Sequence, residues 1–211
     1  TVYDGRKLSC LLDEECLDIR YEFLGIPYSR LSASAISASC RMVNRQTIAD
    51  LRGKGRYDPG AYVVRDADRE LRRIWQRAIS PSDFCGRGDL AAMIPIVSDS
   101  GLGKTSLMCA FAESTDQSLP VLLLQARDCA FGCEDALVRL VIQRMQGILS
   151  PSCRVEEELA IASLFSRSFF LTVLLDGLDE ARDVVTVKTA LSYWMQSRIG
   201  RASVLVASSR P

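Results

Sequence analysis

The residues best suited to chemistry lie in the segment IPIVSDSGLGKTSL, residues 94–107, which carries most of a phosphate-binding motif. Gly101 and Gly103 allow the backbone to turn its N–H groups toward a phosphate without a Cβ clash. Lys104 can reach the β and γ phosphates of a nucleotide, and Thr105 can offer its hydroxyl to Mg²⁺. The residues predicted to contact the nucleotide are Ser98, Asp99, Ser100, Gly101, Leu102, Gly103, Lys104, Thr105 and Ser106.

One position departs from the motif, because Ser98 stands where GxxxxGK[ST] has its first glycine. This residue is expected to end the preceding strand, whereas the later residues form the phosphate cradle, so a small side chain should be tolerated there. Two alternatives stay open, namely a degraded loop that binds nothing and a chance glycine-rich turn. The intact glycines and the intact Lys104 and Thr105 favour a working loop.

A second group of polar residues follows another apolar run, in FFLTVLLDGLDEA at residues 169–181. Asp176 stands at the tip of the predicted strand, where it can serve as the ligand that holds the Mg²⁺ water shell. Asp179 or Glu180 could orient or deprotonate the attacking water, and the sequence leaves both open with a preference for Glu180. The alternative is an acidic loop or a helix N-terminus that holds no metal.

Composition excludes several kinds of chemistry. The 211 residues contain no histidine, which excludes a serine triad, a histidine acid or base, and a zinc site of mixed Cys and His ligands. The eight cysteines form no CxxC pair, so reduced and mostly buried thiols are expected. The formal net charge is zero, so nucleic acid is not indicated as a partner. No signal peptide or membrane segment of roughly 20 apolar residues is visible, which predicts a cytoplasmic location.

Short apolar runs alternate with helical periods, a pattern typical of a parallel sheet wrapped by helices. The predicted strands cover residues 94–97, 121–126, 169–175 and 202–208. The predicted helical faces are formed by Leu137, Val141, Met145 and Ile148 and by Val187, Leu191, Trp194 and Met195, the second set between Asp183 and Gly200. These stripes are interpreted as core packing.

The first part of the chain is harder to interpret. Residues 1–58 are interpreted as a helical lead-in or linker, and its apolar residues fit a helix loosely: Ile36, Val43, Ile48 and Leu51. The segment GKGRYDPG, residues 53–60, is rich in glycine and charge and marks the boundary. Residues 59–211 are then the nucleotide-binding domain.

The phosphate loop, LLDGLDEA at 174–181 and VLVASSRP at 204–211 occur in the order found in signalling NTPases of the STAND class. The chain resembles the NACHT type over roughly residues 62–211, and the DGLDE and SRP pair is more specific than the phosphate loop alone. The resemblance implies that Arg210 is the sensor 1 arginine, a catalytic residue beside the γ-phosphate. Ser208 stands in place of the family's usual threonine.

The same resemblance implies an α/β fold, the three-layer αβα sandwich of P-loop NTPases in the ASCE division. Its sheet should be mainly parallel and truncated after the sensor 1 strand, with a helical segment before it. The implied function is a switch that binds ATP or ADP with Mg²⁺, hydrolyses ATP slowly and controls conformation or oligomerisation in innate immunity or defence. Self-association through this domain is expected, with effector and sensor domains outside the chain.

The family's motif upstream of the phosphate loop fits YVVRDADREL, residues 62–71, with Val64 in place of its glycine. The resemblance therefore implies that Tyr62, Val63 and Arg65 form the wall of the base pocket. A helical stripe should follow, formed by Leu71, Ile74, Trp75 and Ala78. FCGRGD, residues 84–89, looks similar but lies too close to the phosphate loop for a helix of about 11 residues and a strand, so it is interpreted as a loop.

Two other functions compete with the ATP-driven switch. In a nucleotide-insensitive scaffold, Ser98 and Val64 would record a lost site. An AAA+ ATPase that remodels nucleic acid is disfavoured, because such enzymes usually place Asp and Glu side by side at the strand end rather than in DGLDE. The preference for ATP over GTP comes from the resemblance, although the guanine motif [NT]KxD is absent from the sequence.

Overall fold

Four strands form one parallel sheet in the structure, a computed structural model that describes residues 33–80, 92–115, 119–129, 132–146, 171–181 and 183–211. The strands are β1 (Ala92–Val97), β2 (Val121–Gln125), β3 (Leu171–Asp176) and β4 (Ser203–Ser209). Their order across the sheet is β1-β4-β3-β2, and each neighbouring pair is parallel. The α/β architecture with a parallel sheet is confirmed, and all four predicted strands form, with ends shifted by at most two residues.

Helices connect and cover the strands. They are α1 (Ala33–Gly53), α2 (Asp66–Ile79), α3 (Lys104–Ser114), α4 (Ala136–Gln146), α5 (Val184–Gln196) and the short α6 (Arg198–Arg201). Single 3₁₀ turns, Ala126–Asp128 and Leu178–Glu180, follow β2 and β3. None of the helices in the described ranges has the length and apolar character needed to cross a membrane.

Apolar side chains pack on both faces of the sheet. On one face α4 and α5 pack against a core that includes Val173 and Leu205, and on the other α2 and α3 pack against one that includes Leu174 and Val206. Successive side chains of a strand point to opposite faces of the sheet. Because both faces are covered, all six residues of β3 are buried. This burial on both faces explains why the strands are nearly continuous apolar runs in the sequence.

Helix α1 covers the outer edge of β2. The side-chain NH₂ of Asn44 donates to the backbone carbonyl oxygen of Val121 at 2.8 Å. The backbone N–H of Leu123 donates to Oδ1 of Asn44 at 2.7 Å. These are backbone groups that a further strand would otherwise pair. The helix expected in the lead-in is therefore present over residues 33–53, and it shares the cores of the sheet.

Most predicted helical faces are buried as expected. In α2, Leu71 and Trp75 are buried and the indole N–H of Trp75 donates to the Thr172 hydroxyl at 2.9 Å. Ile74, predicted in the same stripe, is instead 37% exposed, because it lies at the edge of that face. Helix α5 begins after Asp183 as expected but ends at Gln196, four residues before Gly200. Ile148 and the FCGRGD segment lie outside the described residues.

Candidate functional site

The C-terminal ends of β1, β3 and β4 lie side by side at the same end of the sheet, where parallel α/β folds bind their ligands. Strand β4 lies between the other two, with Val97 beside Ser209 and Leu175 beside Ala207 in the register. The phosphate loop after β1, the acidic turn after β3 and Arg210 after β4 are therefore close together. The three motifs are far apart in the sequence, yet all of them lie at this end of the sheet.

The phosphate loop has the backbone conformation that its glycines predicted. Gly101 and Gly103 adopt φ angles of 81° and 75°, in the left-handed region that residues with a Cβ avoid. Helix α3 begins directly after the loop, at Lys104, so its free N–H groups face the loop. The Lys104 ammonium donates to the carbonyl oxygens of Ser98 at 2.5 Å and Asp99 at 2.9 Å. Loop and cation thus form one compact unit.

The position of Ser98 matches the expectation. Strand β1 ends at Val97, and the Ser98 N–H continues the ladder by donating to the Ser209 carbonyl at 3.3 Å. Its carbonyl faces Lys104, and its side chain is partly exposed. Asp99, Ser100 and Leu102 are exposed at the tip of the loop.

The two predicted metal ligands touch each other. The Thr105 hydroxyl donates to Oδ2 of Asp176 at 2.7 Å, and the Ser208 hydroxyl donates to Oδ1 of the same carboxylate at 2.7 Å. Asp176 is buried, yet no Lys or Arg in the described part of the chain forms an ion pair with it. A buried carboxylate without a cation is costly, and a bound cation would offset that cost.

The residues present fit Mg²⁺. A hydroxyl and a carboxylate oxygen are hard donors, and Mg²⁺ in nucleotide sites takes one or two such ligands with phosphate oxygens and water. Burial and the charge of Asp176 raise the pKa of the nearby Cys109 thiol to about 12, and its soft sulfur does not suit Mg²⁺. No group of three or more acidic, Cys or His side chains suited to a metal occurs in the described ranges. Thr105 and Asp176 would hold the ion from the protein side.

No family model matches this chain, and no curated protein matches it. What the site can do therefore follows from its own residues.

Asp179 and Glu180, the two candidates for activating water, are held differently. Both side-chain oxygens of Asp179 are engaged by Arg210, one by its Nε at 2.8 Å and the other by its backbone N–H at 3.2 Å. Within the described ranges Glu180 forms one ion pair, with Arg56 at 3.1 Å, and the side chains of Glu180 and Arg56 are partly exposed. Glu180 thus keeps one carboxylate oxygen for other contacts, whereas Asp179 is fixed to the residue predicted as sensor 1.

An open cavity of about 340 Å³ lies beside the phosphate loop. Among its lining residues are Tyr62, Val63 and Arg65, the predicted wall of the base pocket, together with Gly103 and Ser106 of the loop and helix α3. The structure therefore brings the upstream motif and the phosphate loop together around one space. Its size suits part of a nucleotide, since ligand pockets span about 300–1,000 Å³.

Arg65 joins the two sides of this cavity. Its guanidinium donates to the carbonyl oxygens of Leu102 at 2.7 Å and Gly103 at 3.2 Å, and it lies 5.7 Å from the centre of the Tyr62 ring. The Tyr62 hydroxyl donates to Asp68 on α2, and burial and then this carboxylate raise its pKa to about 12. The tyrosine therefore stays neutral, and the arginine braces the loop rather than pointing freely into the cavity.

A second cavity, of about 510 Å³, lies between α1 and the C-terminal end of α3. None of the predicted site residues lines it, so the smaller cavity beside the phosphate loop is the relevant one for the chemistry.

Sequence reasoning missed two contacts in the site. Arg56, in the segment between α1 and α2, pairs with Glu180 across 124 positions of the chain. Ser208 was noted only as a substitute for threonine, yet its hydroxyl holds Asp176. No local pattern indicates the contact of Arg56, whereas the two serines that end the apolar run in VLVASS could have pointed to Ser208.

Proposed function

We propose that this chain binds ATP with Mg²⁺ and hydrolyses it slowly, as the nucleotide-controlled switch of a STAND protein of the NACHT type. The observation that carries the proposal is that three groups lie together at the C-terminal end of the sheet. They are the phosphate loop, the Thr105–Asp176 pair, and the acidic turn with Arg210. The placement of β4 between β1 and β3 supports assignment to the P-loop NTPase fold, because it brings Arg210 beside both motifs.

Each residue then has a role that its surroundings support. The backbone of residues 99–103 and the Lys104 ammonium bind phosphates, and the cavity lined by Tyr62, Val63 and Arg65 takes the nucleoside. When bound, Mg²⁺ would neutralise phosphate charge, with Thr105 and Asp176 as its protein ligands. Glu180 orients or deprotonates the attacking water, and Arg210 stabilises developing charge.

The wider biological role follows from the resemblance. A slow ATPase of this kind would alternate between nucleotide states and change conformation or self-association with them. The preference for ATP over GTP and a cytoplasmic location belong to the same proposal. Effector and sensor functions would reside in other domains.

The test is calorimetric binding of ATP in the presence of Mg²⁺. Lys104→Ala should lower the affinity by at least about a hundredfold, because it removes the cation of the phosphate cradle. Lys188→Ala is the matched control, since Lys188 is exposed on α5, and it should bind like the wild type. Equal affinity of the Lys104 variant and the wild type would sink the assignment. GTP added as a competitor tests the base preference in the same experiment.

One observation favours a second function, a nucleotide-insensitive scaffold. Lys104, Asp179 and Glu180 all have protein partners, two backbone carbonyls for the lysine and an arginine for each carboxylate, so these side chains are engaged without a nucleotide. A scaffold would keep such pairs for stability. It would show no ATP binding stronger than about 1 mM, and its melting temperature would not rise with ATP and Mg²⁺.

A further inference from the structure

Ser208 is a buried hydroxyl at the centre of the candidate site. It lies one residue before the end of β4, is fully buried, and makes two hydrogen bonds to the neighbouring β3 end. Its hydroxyl donates to Oδ1 of Asp176 at 2.7 Å, and it accepts from the N–H of Gly177 at 2.8 Å. The single hydroxyl proton and a lone pair are both used, so the orientation of this side chain is fixed.

This arrangement divides the two oxygens of Asp176 between different partners. Oδ1 of Asp176 accepts from Ser208 inside the sheet, and Oδ2 accepts from Thr105 at the start of α3. Rotation of the carboxylate would break the bond to Ser208 in a buried place where water cannot replace it. Ser208 therefore fixes the orientation of the carboxylate plane, so that one of the two equivalent oxygens faces the start of α3.

The bond to Gly177 extends this control to the acidic turn. Gly177 has φ 76° and precedes the 3₁₀ turn that carries Asp179 and Glu180. Its N–H, which donates to Ser208, is the first backbone group after the strand. One hydroxyl thus fixes both the metal-ligand candidate and the start of the turn with the water-activating candidates.

The geometry points to Ser208 as a positioning residue that sets the Mg²⁺ requirement of nucleotide binding by orienting the carboxylate of Asp176. This inference rests on the proposed function and adds to it a residue for which neither the sequence pattern nor the resemblance gave a role. Hydrogen-bonding partners of metal ligands commonly change metal affinity by 10- to 100-fold when they are removed. A role of that size is expected here, because Asp176 has only hydroxyl partners among the described side chains.

The experiment measures ATP affinity at increasing free Mg²⁺, and again in EDTA, for the wild type and four variants. Ser208→Ala should raise the Mg²⁺ concentration needed for half-maximal ATP binding by about tenfold or more, with little change in EDTA. Ser208→Thr, which keeps the hydroxyl, should stay within about threefold of the wild type. Asp176→Asn should lose most of the dependence on Mg²⁺.

The matched control is Ser203→Ala. Ser203 is also fully buried on β4, but its hydroxyl donates to the Ile199 carbonyl at the other end of the strand. The Ser203→Ala variant should lower the melting temperature about as much as Ser208→Ala does, while leaving the Mg²⁺ requirement of ATP binding unchanged. If Ser208→Ala does not fold, Ser208→Cys, which nearly preserves volume and donates only weakly, should show the same shift in Mg²⁺ requirement.

The outcomes separate the two levels of the proposal. A wild type that binds ATP with a clear Mg²⁺ dependence, together with a folded Ser208→Ala variant that has the same dependence, overturns the role of Ser208 and leaves the proposed function standing. A wild type that does not bind ATP overturns both. An equal shift in Ser208→Ala and Ser203→Ala also overturns the inference, because the effect would then be general loss of stability.

Discussion

The phosphate loop and the acidic turn follow β1 and β3, the strands on either side of β4, yet they are held in place in different ways. The loop is held mainly by contacts among its own residues, through left-handed glycines and the hydrogen bonds of Lys104 with the carbonyls of Ser98 and Asp99. From elsewhere in the described residues, Arg65 contacts the loop carbonyls, and the Ser98 N–H at the start of the loop donates to Ser209 of β4. In the acidic motif each carboxylate instead has a partner from a distant segment: Ser208 for Asp176, Arg210 for Asp179, and Arg56 for Glu180.

Under the proposed function, this difference separates the residues that bind ATP from those that hydrolyse it. A loop whose shape is local can present its N–H groups in the same way whatever the rest of the domain does. Carboxylates held by distant partners change their surroundings whenever those segments move, which is what a nucleotide-controlled switch requires. Substitutions in the loop should therefore change affinity, and substitutions in the turn should change turnover.

The largest effect should come from removing Glu180, the carboxylate proposed to activate water. Glu180→Gln should slow single-turnover ATP hydrolysis by about 10²- to 10⁴-fold and leave ATP affinity nearly unchanged, because the phosphate cradle is untouched. Asp179→Asn should slow it less, since both oxygens of Asp179 are committed to Arg210. Rapid-quench hydrolysis and ATP retention, measured side by side, distinguish the two. Wild-type rates in both variants would show that the acidic turn takes no part in the chemistry.

Gly103→Ala should lower ATP affinity by about tenfold or more. The left-handed backbone at this position costs a residue with a Cβ about 1–3 kcal/mol, and the new Cβ would lie 3.1 Å from the Arg65 guanidinium. Gly53→Ala is the matched control, because Gly53 ends α1 and has open space around it. Isothermal titration with ATP and Mg²⁺ would check this. Unchanged affinity in the Gly103 variant would mean that the loop reshapes freely, contrary to a locally fixed cradle.

Arg65→Ala should weaken ATP binding by about three- to tenfold, a smaller loss than that of the glycine variant, because it removes an external brace and not the loop's own geometry. Arg65→Lys should not restore binding, since an ammonium cannot reproduce the forked contact with two carbonyls. Arg69→Ala, an exposed change on α2, the helix that begins directly after Arg65, serves as the control. A loss above a hundredfold would show that the loop depends on Arg65 as much as the turn depends on its partners.

The smallest effect is expected for Ser98→Gly, which should change ATP affinity by less than about tenfold, or 1.4 kcal/mol. Its backbone continues the β1–β4 ladder, and its side chain takes no part in the contacts of Lys104. The same titration measures it. A gain of a hundredfold or more would reveal that serine at this position cripples the loop.

Local chemistry decided how much of this could be predicted from the sequence. The strands were readable because burial on both faces demands uninterrupted apolar runs, as in LTVLLD. The phosphate loop was readable because glycine is the residue that tolerates its backbone angles. The pairing of Arg56 with Glu180 was not, since it depends on how a segment between two helices passes the acidic turn. The exposure of Ile74 likewise depends on how much of α2 the sheet covers.

The two hydrogen bonds of Asn44 also bear on solubility. Edge strands with free N–H and C=O groups recruit strands from other molecules, and this is a common route to aggregation. The amide of Asn44 offers one donor and one acceptor at the spacing that the edge of β2 needs, so it imitates a strand without being able to propagate one. Helix α1 covers this edge, and Asn44 pairs the backbone groups beneath it. Replacing Asn44 with alanine would leave a buried carbonyl and a buried N–H without a partner, which should lower stability before it could expose the edge to another molecule.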